Sequence, residues 1–262
     1  MKKAIIYLVS FIALQLIVAM AMKLIGMLFG SAVNMSSTST LIIMQVTISV
    51  LTIVLFLITK WSVVSRDYLR TSPWFTLFWC VLASAGAVIP SAWLQELMPE
   101  LPNIVEQQMD MILKDRTGYL VVGLLAPLAE ELVFRGAILK ALLGWFRNHW
   151  YAIALSALLF AIVHGNPAQM PHAFLVGLLL GWMYYRTDSI VPSVAFHWVN
   201  NTIAYVLYNI MPNPNAKLIE VFHGDSKAVV LSVVFSLLIF IPAVYQLNLR
   251  LKKAHLRYAE YK

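Results

Sequence analysis

Three ionisable residues, Glu130, Glu131 and Arg135, occupy an otherwise apolar stretch of the chain, APLAEELVFRGAIL. Glu131 and Arg135 are four positions apart, so that on a helix they share a face and can neutralise each other. Glu130 points about 100° away around such a helix and needs another partner. The polar candidates on later segments are His164, His197 and Asn201. A carboxylate among imidazoles can deprotonate water, hold a metal ion or relay protons.

The composition indicates that these residues lie in a bilayer. Of 262 residues, 61% are hydrophobic and only 12% are charged, about half the charged fraction of soluble domains. Several stretches without any charge, such as the one between Lys23 and Lys60, exceed the roughly 20 residues that span a membrane. An ionisable group near the bilayer centre costs at least about 2.5–3.5 kcal/mol, so it usually marks a function or an internal partner.

The sequence predicts an all-α polytopic membrane protein, with about eight transmembrane helices in one bundle and a single integral membrane domain over 1–262. The predicted helices are 4–29, 39–59, 74–94, 118–145, 150–165, 169–186, 190–210 and 228–249. Two long apolar runs are divided by turn signals, at 30–37 and at His164-Gly165-Asn166-Pro167. The motif core is expected over 120–205. The amphipathic stretch 95–117 is expected to be an interfacial segment.

At a rise of about 1.5 Å per residue, four polar residues fall in one layer of the bundle: Glu130, His164, His197 and Asn201. Pro127 can bend its helix toward that layer. A single buried histidine is usually a hydrogen-bonding partner between helices, but three polar elements at one depth favour a site. For the Glu131–Arg135 pair, mutual neutralisation and a role in the site both stay open.

The distribution of Lys and Arg predicts the orientation. With the N-terminus inside, thirteen of these residues lie on the cytoplasmic side and four lie opposite: Lys114, Arg116, Lys217 and Lys227. Both termini are therefore expected in the cytoplasm, and the first helix is expected to be an uncleaved anchor. The net charge of +7 follows from this bias, and because it is spread over loops, no nucleic-acid partner is expected.

Other protease chemistries fit the sequence poorly. The only cysteine, Cys80, lies in an apolar helix without a nearby histidine, and every Asp falls in a predicted loop. Ser193 lacks a glycine-rich oxyanion loop. His172 is expected to hydrogen-bond between helices near the site, Gly177 and Gly181 to permit close helix packing, and Asn201 is preferred over Asn200 by its helical face.

Three motifs in order, APLAEELVFRG, FAIVHG and AFHWVNN, resemble those of the CPBP family, which comprises CAAX prenyl proteases and bacteriocin-processing (Abi) enzymes. The resemblance implies an intramembrane endopeptidase with an eight-helix core. It implies that Glu130 and His164 activate water and that His197 and Asn201 stabilise the oxyanion. Glu131 and Arg135 match the supporting pair of the first motif.

Two alternatives to this metal-free protease are kept. The favoured interpretation has no cofactor. The first alternative is a zinc-dependent protease in which Glu130, His164 and His197 hold Zn²⁺. In the second, the same residues form a proton relay in a transporter or a membrane scaffold, although no inverted repeat supports it. The expected partners are a membrane-associated protein or peptide substrate and the lipid bilayer. The chain carries no retrieval signal at its end, so a prokaryotic cytoplasmic membrane is the expected location.

Overall fold

The structure, a computed structural model, describes residues 1–29, 37–213 and 216–255, and this part of the chain contains helices and no strand. The α-helices are α1 Lys2–Phe29, α2 Thr38–Ile58, α3 Arg66–Arg70, α4 Trp74–Glu96, α5 Glu106–Lys114, α6 Ala126–Glu131, α7 Lys140–Leu143, α8 His149–Val163, α9 Met170–Thr187, α10 Val191–Ile210, α11 Leu218–Val221 and α12 Ser226–Arg250. Two π-helical segments, Leu120–Leu125 and Leu132–Leu139, join α6 and α7 into one continuous helix over 120–143. We call it the glutamate helix.

The prediction of an all-α polytopic membrane protein is confirmed. Each of the eight predicted helices has a counterpart within a few residues of its expected ends. Among the described residues, four helices are long and apolar enough to cross a membrane: α1, α2, α4 and α12. The other four are shorter or carry polar side chains. The predicted break at 30–37 lies outside the described residues except for Ser37, which caps α2 by accepting a hydrogen bond from Thr40 N.

The connections gather at two chemically different ends of the bundle. At the first end, Ser65 Oγ donates to Asp188 O at 3.2 Å, and Arg186 donates to Asn248. A cleft there is lined by basic residues from several connections, among them Arg66, Lys140 and Lys253. The segments to which the sequence assigned a cytoplasmic position are therefore together. The last part of the charged C-terminal stretch, residues 256–262, lies outside the described residues.

The second end is built by the stretch 95–117, of which α5 forms a part. Asn166 ties this stretch to the turn after α8, because its Oδ1 accepts from Ile104 N and its Nδ2 donates to Asn103 Oδ1. Tyr208 at the end of α10 donates to Asp110 at 2.6 Å. The segment thus holds the ends of α8 and α10 together, and its placement at the membrane surface stays a prediction.

Close packing of α8 and α9 depends on two glycines. A Cβ atom at Gly177 would lie 3.0 Å from Ala157 Cβ, and one at Gly181 would lie 3.0 Å from Ile153 Cγ2. Contacts of this length force the neighbour to move, so a larger residue would separate the helices. The expectation from the Gly-x-x-x-Gly spacing is therefore confirmed.

Candidate active site

The glutamate helix departs from α-helical geometry on both sides of the two glutamates. In the first π segment Ala126 N donates to Val121 O, five residues back. The next carbonyl, Val122 O, would then require a donor from residue 127, which is proline and has no N–H. Asn201 Nδ2 supplies that donor from α10 at 3.0 Å. The proline of the first motif is thus compensated by the asparagine of the third.

Glu131 and Arg135 form the predicted ion pair in the interior. Arg135 Nη1 donates to Glu131 Oε1 at 2.8 Å, and neither side chain is exposed. Arg135 Nη2 donates to the carbonyl oxygen of Gly177 at 3.2 Å, and the guanidinium carbon lies 4.4 Å from the centre of the Phe160 ring. Buried charges need such compensation because the interior solvates them poorly. The pair therefore connects the glutamate helix with α8 and α9.

His197 lies between the two glutamates. Its Nδ1 is 3.0 Å from Glu131 Oε1, and its Nε2 is 3.6 Å from Glu130 Oε2. Because an ionised carboxylate only accepts hydrogen bonds, Nδ1 carries a hydrogen in this contact. The imidazole therefore turns its other nitrogen toward Glu130. This contact supplies the partner on a later helix that Glu130 was expected to need.

The two adjacent carboxylates have different surroundings. The Glu131 side chain is 0% exposed and accepts from both Arg135 and His197, whereas the Glu130 side chain is 24% exposed. Glu131 consequently acts as a fixed acceptor that orients His197. Glu130 is the carboxylate that water or a substrate can reach.

His164 follows α8 as its C-terminal capping residue. Its Nδ1 lies 2.7 Å from Phe160 O, and a carbonyl only accepts, so Nδ1 carries the hydrogen and Nε2 is left as an acceptor in the neutral ring. The Phe160 ring meets the rings of His164 and His197 edge-on, at 4.8 Å and 5.8 Å between centres. Within the described chain, neither a hydrogen bond nor an ion pair joins His164 to Glu130. Their cooperation stays a prediction.

A second polar pair, His172 and Asn200, adjoins these residues. Asn200 Nδ2 lies 3.5 Å from His172 Nε2 and 3.4 Å from Asn201 Oδ1. The expected role of His172 as a hydrogen-bonding residue beside the site is therefore observed.

The zinc alternative stays a prediction in this structure. Among the residues that the structure describes, no group of three or more His, Cys, Asp or Glu side chains is arranged to hold a metal ion. His197 turns Nε2 toward Glu130 Oε2 at 3.6 Å and Nδ1 toward Glu131, and His164 turns Nδ1 toward a carbonyl. Metal-bound histidines commonly commit the other ring nitrogen to a carbonyl or carboxylate in this way, so these contacts are compatible with either protease mechanism.

Two contributors to this site were missed in the sequence: the carbonyl of Gly177, which binds Arg135, and the Phe160 ring, which contacts Arg135 and both histidines. A backbone carbonyl leaves no mark in a sequence. Phe160 does leave one, since it stands four residues before His164 and so shares its helical face.

The region that holds this site matches a known family. Residues 114–203 match the sequence model of the type II CAAX prenyl endopeptidase Rce1-like family, and all three motifs fall inside that range. Residues 114–203 are thus similar in sequence to this family of CAAX proteases. The resemblance noted from the motifs is therefore confirmed for this region, which extends from the end of α5 into α10.

One curated relative shares part of this chain. The UPF0177 protein YxdF of Lactococcus lactis subsp. lactis (strain IL1403) is 30% identical over 78 residues, which are 29% of this chain and 42% of the relative. The chain therefore spans less than half the length of that relative. No solved structure matches the chain.

Proposed function

We propose that this protein is an intramembrane endopeptidase that hydrolyses a peptide bond of a membrane-associated protein or peptide. The family match supports a peptide hydrolase of the CAAX-protease type. The observation that carries the proposal is the difference between the two glutamates around His197, because one carboxylate is buried and ion-paired while the other is partly exposed beside an imidazole nitrogen.

In the proposed reaction Glu130 is the general base. It takes a proton from water while the water oxygen attacks the carbonyl carbon of the substrate, with His164 Nε2 accepting a second hydrogen bond from that water. Its partial exposure beside His197 favours such a role, since water can reach this carboxylate. The proton then passes to the nitrogen of the leaving amine as the C–N bond breaks.

The negative charge that develops on the carbonyl oxygen requires donors. His197 can donate from Nε2 when that atom is protonated, and Glu131 holds the ring in the required orientation. Asn201 has two amide hydrogens, of which one binds Val122 O, so the other can serve the oxyanion. Removing one such donor typically reduces the rate by about 10²–10³.

The principal test uses the detergent-purified protein and a mixture of short synthetic peptides, with new termini read by mass spectrometry. Glu130→Gln and His164→Ala should each reduce cleavage by orders of magnitude, and Asn201→Ala should leave a measurable remainder. Glu100→Gln, an exposed change at the second end of the bundle, is the matched control and should cleave normally. Retained cleavage in Glu130→Gln would refute Glu130 as the general base, whereas no cleavage by the unsubstituted protein would favour a proton relay or scaffold.

Metal analysis of the same preparation separates the two protease mechanisms. The glutamate mechanism predicts far less than one equivalent of zinc and activity that survives strong chelators. A zinc-dependent protease would instead lose activity on chelation and regain it with added zinc. Stoichiometric zinc that is lost in His164→Ala would overturn the metal-free mechanism.

We further propose a prokaryotic cytoplasmic membrane as the location, with both termini in the cytoplasm. The gathering of Arg66, Lys140 and Lys253 at one end of the bundle supports this orientation, because cytoplasmic loops are enriched in Lys and Arg. Reporter fusions at the termini and in the 60–73 and 144–148 connections should therefore be cytoplasmic. A fusion within 97–105 should be external, and an external C-terminal fusion would contradict the topology.

A further inference from the structure

A cavity of about 520 Å³ lies beside the site, between α4, α10 and the segment 216–222. His172 and Asn200 line its inner part. The apolar walls include Val88, Ala204 and Leu207. Toward the second end of the bundle the cavity is lined by Glu96 and Met211. Cavities of this size bury most of a small ligand, so the space is large enough for a specific one.

We infer that this cavity is a binding subsite for an extended, apolar peptide segment on one side of the bond to be cleaved. The inference rests on the proposed function, because it assigns the substrate of that same site. The cavity reaches the site through side-chain contacts, because Asn200 bonds both His172 and Asn201.

The length of the cavity fits a short extended chain. Along α10 the cavity runs from Asn200 to Met211, about 16 Å at 1.5 Å per residue, which corresponds to about five residues of extended peptide. A peptide bond within a helix has its N–H and C=O committed to other residues, so the bond to be cleaved is accessible only in an unwound segment.

The lining matches the two kinds of group on such a peptide. Apolar walls accommodate its side chains, and hydrogen-bonding groups of His172 and Asn200 face its backbone near the site. The class of substrate that follows is an unwound apolar tail or juxtamembrane segment that enters from the second end of the bundle, and not an intact transmembrane helix.

The first experiment fills the cavity. Ala204 is exposed on the cavity wall, so Ala204→Trp should fold. It should reduce kcat/KM for the peptide mixture at least tenfold, mainly by raising KM. The loss should be concentrated in peptides that carry consecutive apolar residues on one side of the cut. Val206→Trp is the matched control on the same helix, where the native side chain is 45% exposed outside the cavity, and should cleave normally. An unchanged cleavage profile in Ala204→Trp would overturn the inference.

The polar lining has its own test. His172→Phe keeps the ring shape but removes the nitrogen that Asn200 contacts, so it should lower kcat/KM about two- to tenfold, the range of one neutral hydrogen bond. The loss should be larger for peptides that extend into the cavity than for peptides from which the cut releases only the final residue, because the latter leave the cavity empty. An equal loss for both would indicate a merely structural role and would contradict the inference for His172.

A binding measurement separates failure of this inference from failure of the proposed function. In a Cys80→Ala, Glu130→Gln background, Ala204→Cys and Val206→Cys are labelled with a maleimide with and without the peptide mixture. The peptides should slow labelling of Ala204→Cys severalfold and leave Val206→Cys unchanged. Equal labelling overturns the subsite whatever the catalytic result. Protection together with cleavage by Glu130→Gln would leave the subsite standing and refute the catalytic mechanism.

Discussion

The four long apolar helices and the four helices that carry or support the motifs obtain their stability in different ways. In α1, α2, α4 and α12, between 11% and 22% of the apolar window is buried inside the protein, so most of their surface is left for lipid. The glutamate helix, α8, α9 and α10 instead carry the polar side chains that contact one another. The first group satisfies its backbone internally, as any membrane-spanning helix must.

The second group cannot satisfy all of its polar atoms within single helices. Arg135 needs Glu131 and a carbonyl from α9, and Val122 O needs Asn201. Polar contacts with neighbouring helices therefore contribute to the stability of this group. The difference teaches that hydropathy determines where the outer helices are, whereas specific polar pairing determines how the inner ones fit together.

The largest expected effect comes from breaking the buried ion pair. Arg135→Ala should lower the free energy of unfolding by about 3–5 kcal/mol, because it leaves Glu131 charged and without a counterion in the interior. Adding Glu131→Gln should recover part of the loss. The measurement is unfolding in mixed detergent micelles at increasing SDS.

The matched control is an ion pair on the protein surface, between Arg70 and Asp67. Arg70 lies 3.6 Å from Asp67 with both side chains more than 70% exposed, so Arg70→Ala should cost at most about 1 kcal/mol. If Arg135→Ala is as stable as Arg70→Ala and only inactive, Arg135 belongs to the catalytic machinery and the structural interpretation of the pair is wrong.

An intermediate effect should come from the bond between Asn201 and Val122. Asn201→Ala leaves a carbonyl unpaired and should cost about 1–3 kcal/mol. In a Pro127→Ala background the new N–H can serve Val122 O, so the same change should cost less. Double-mutant cycles with the SDS assay measure this coupling. Asn200→Ala is the control, since Asn200 does not contact Val122, and coupling of equal size for both asparagines would contradict our explanation.

The smallest effects are expected on the lipid-facing surface of the outer helices. Ile17 and Leu238 are 65% and 63% exposed, so Ile17→Leu and Leu238→Ile should change the free energy of unfolding by less than about 0.5 kcal/mol. The measurement is thermal unfolding in detergent, monitored by the amount of monomeric protein that remains. A loss above 2 kcal/mol would remove the contrast between the two groups of helices.

Local patterns predicted those features that depend on one segment alone. Long apolar runs with turn signals gave the eight helices, and the four-residue spacing of Glu131 and Arg135 gave their ion pair. The contact of His197 with both glutamates was not predicted, because it depends on how α10 is rotated against the glutamate helix.

The π-helical segments were also absent from the prediction, for a physical reason. Pro127 predicted a bend, but a proline alone does not specify which carbonyl loses its donor or which group replaces that donor. That information lies in Asn201, 79 residues from Val122 along the chain. Placing this donor requires the packed structure.

The Asn201–Val122 bond also has a consequence for biogenesis. At synthesis rates of about 5–20 residues per second, the 79 residues that separate the two partners take roughly 4–16 s to make. During that interval the nascent glutamate helix has neither Asn201 for its free carbonyl nor His197 for its carboxylates. Transfer of this helix into lipid therefore costs more before α10 is made than after it, by the free energy of an unpaired carbonyl and an unpartnered Glu130.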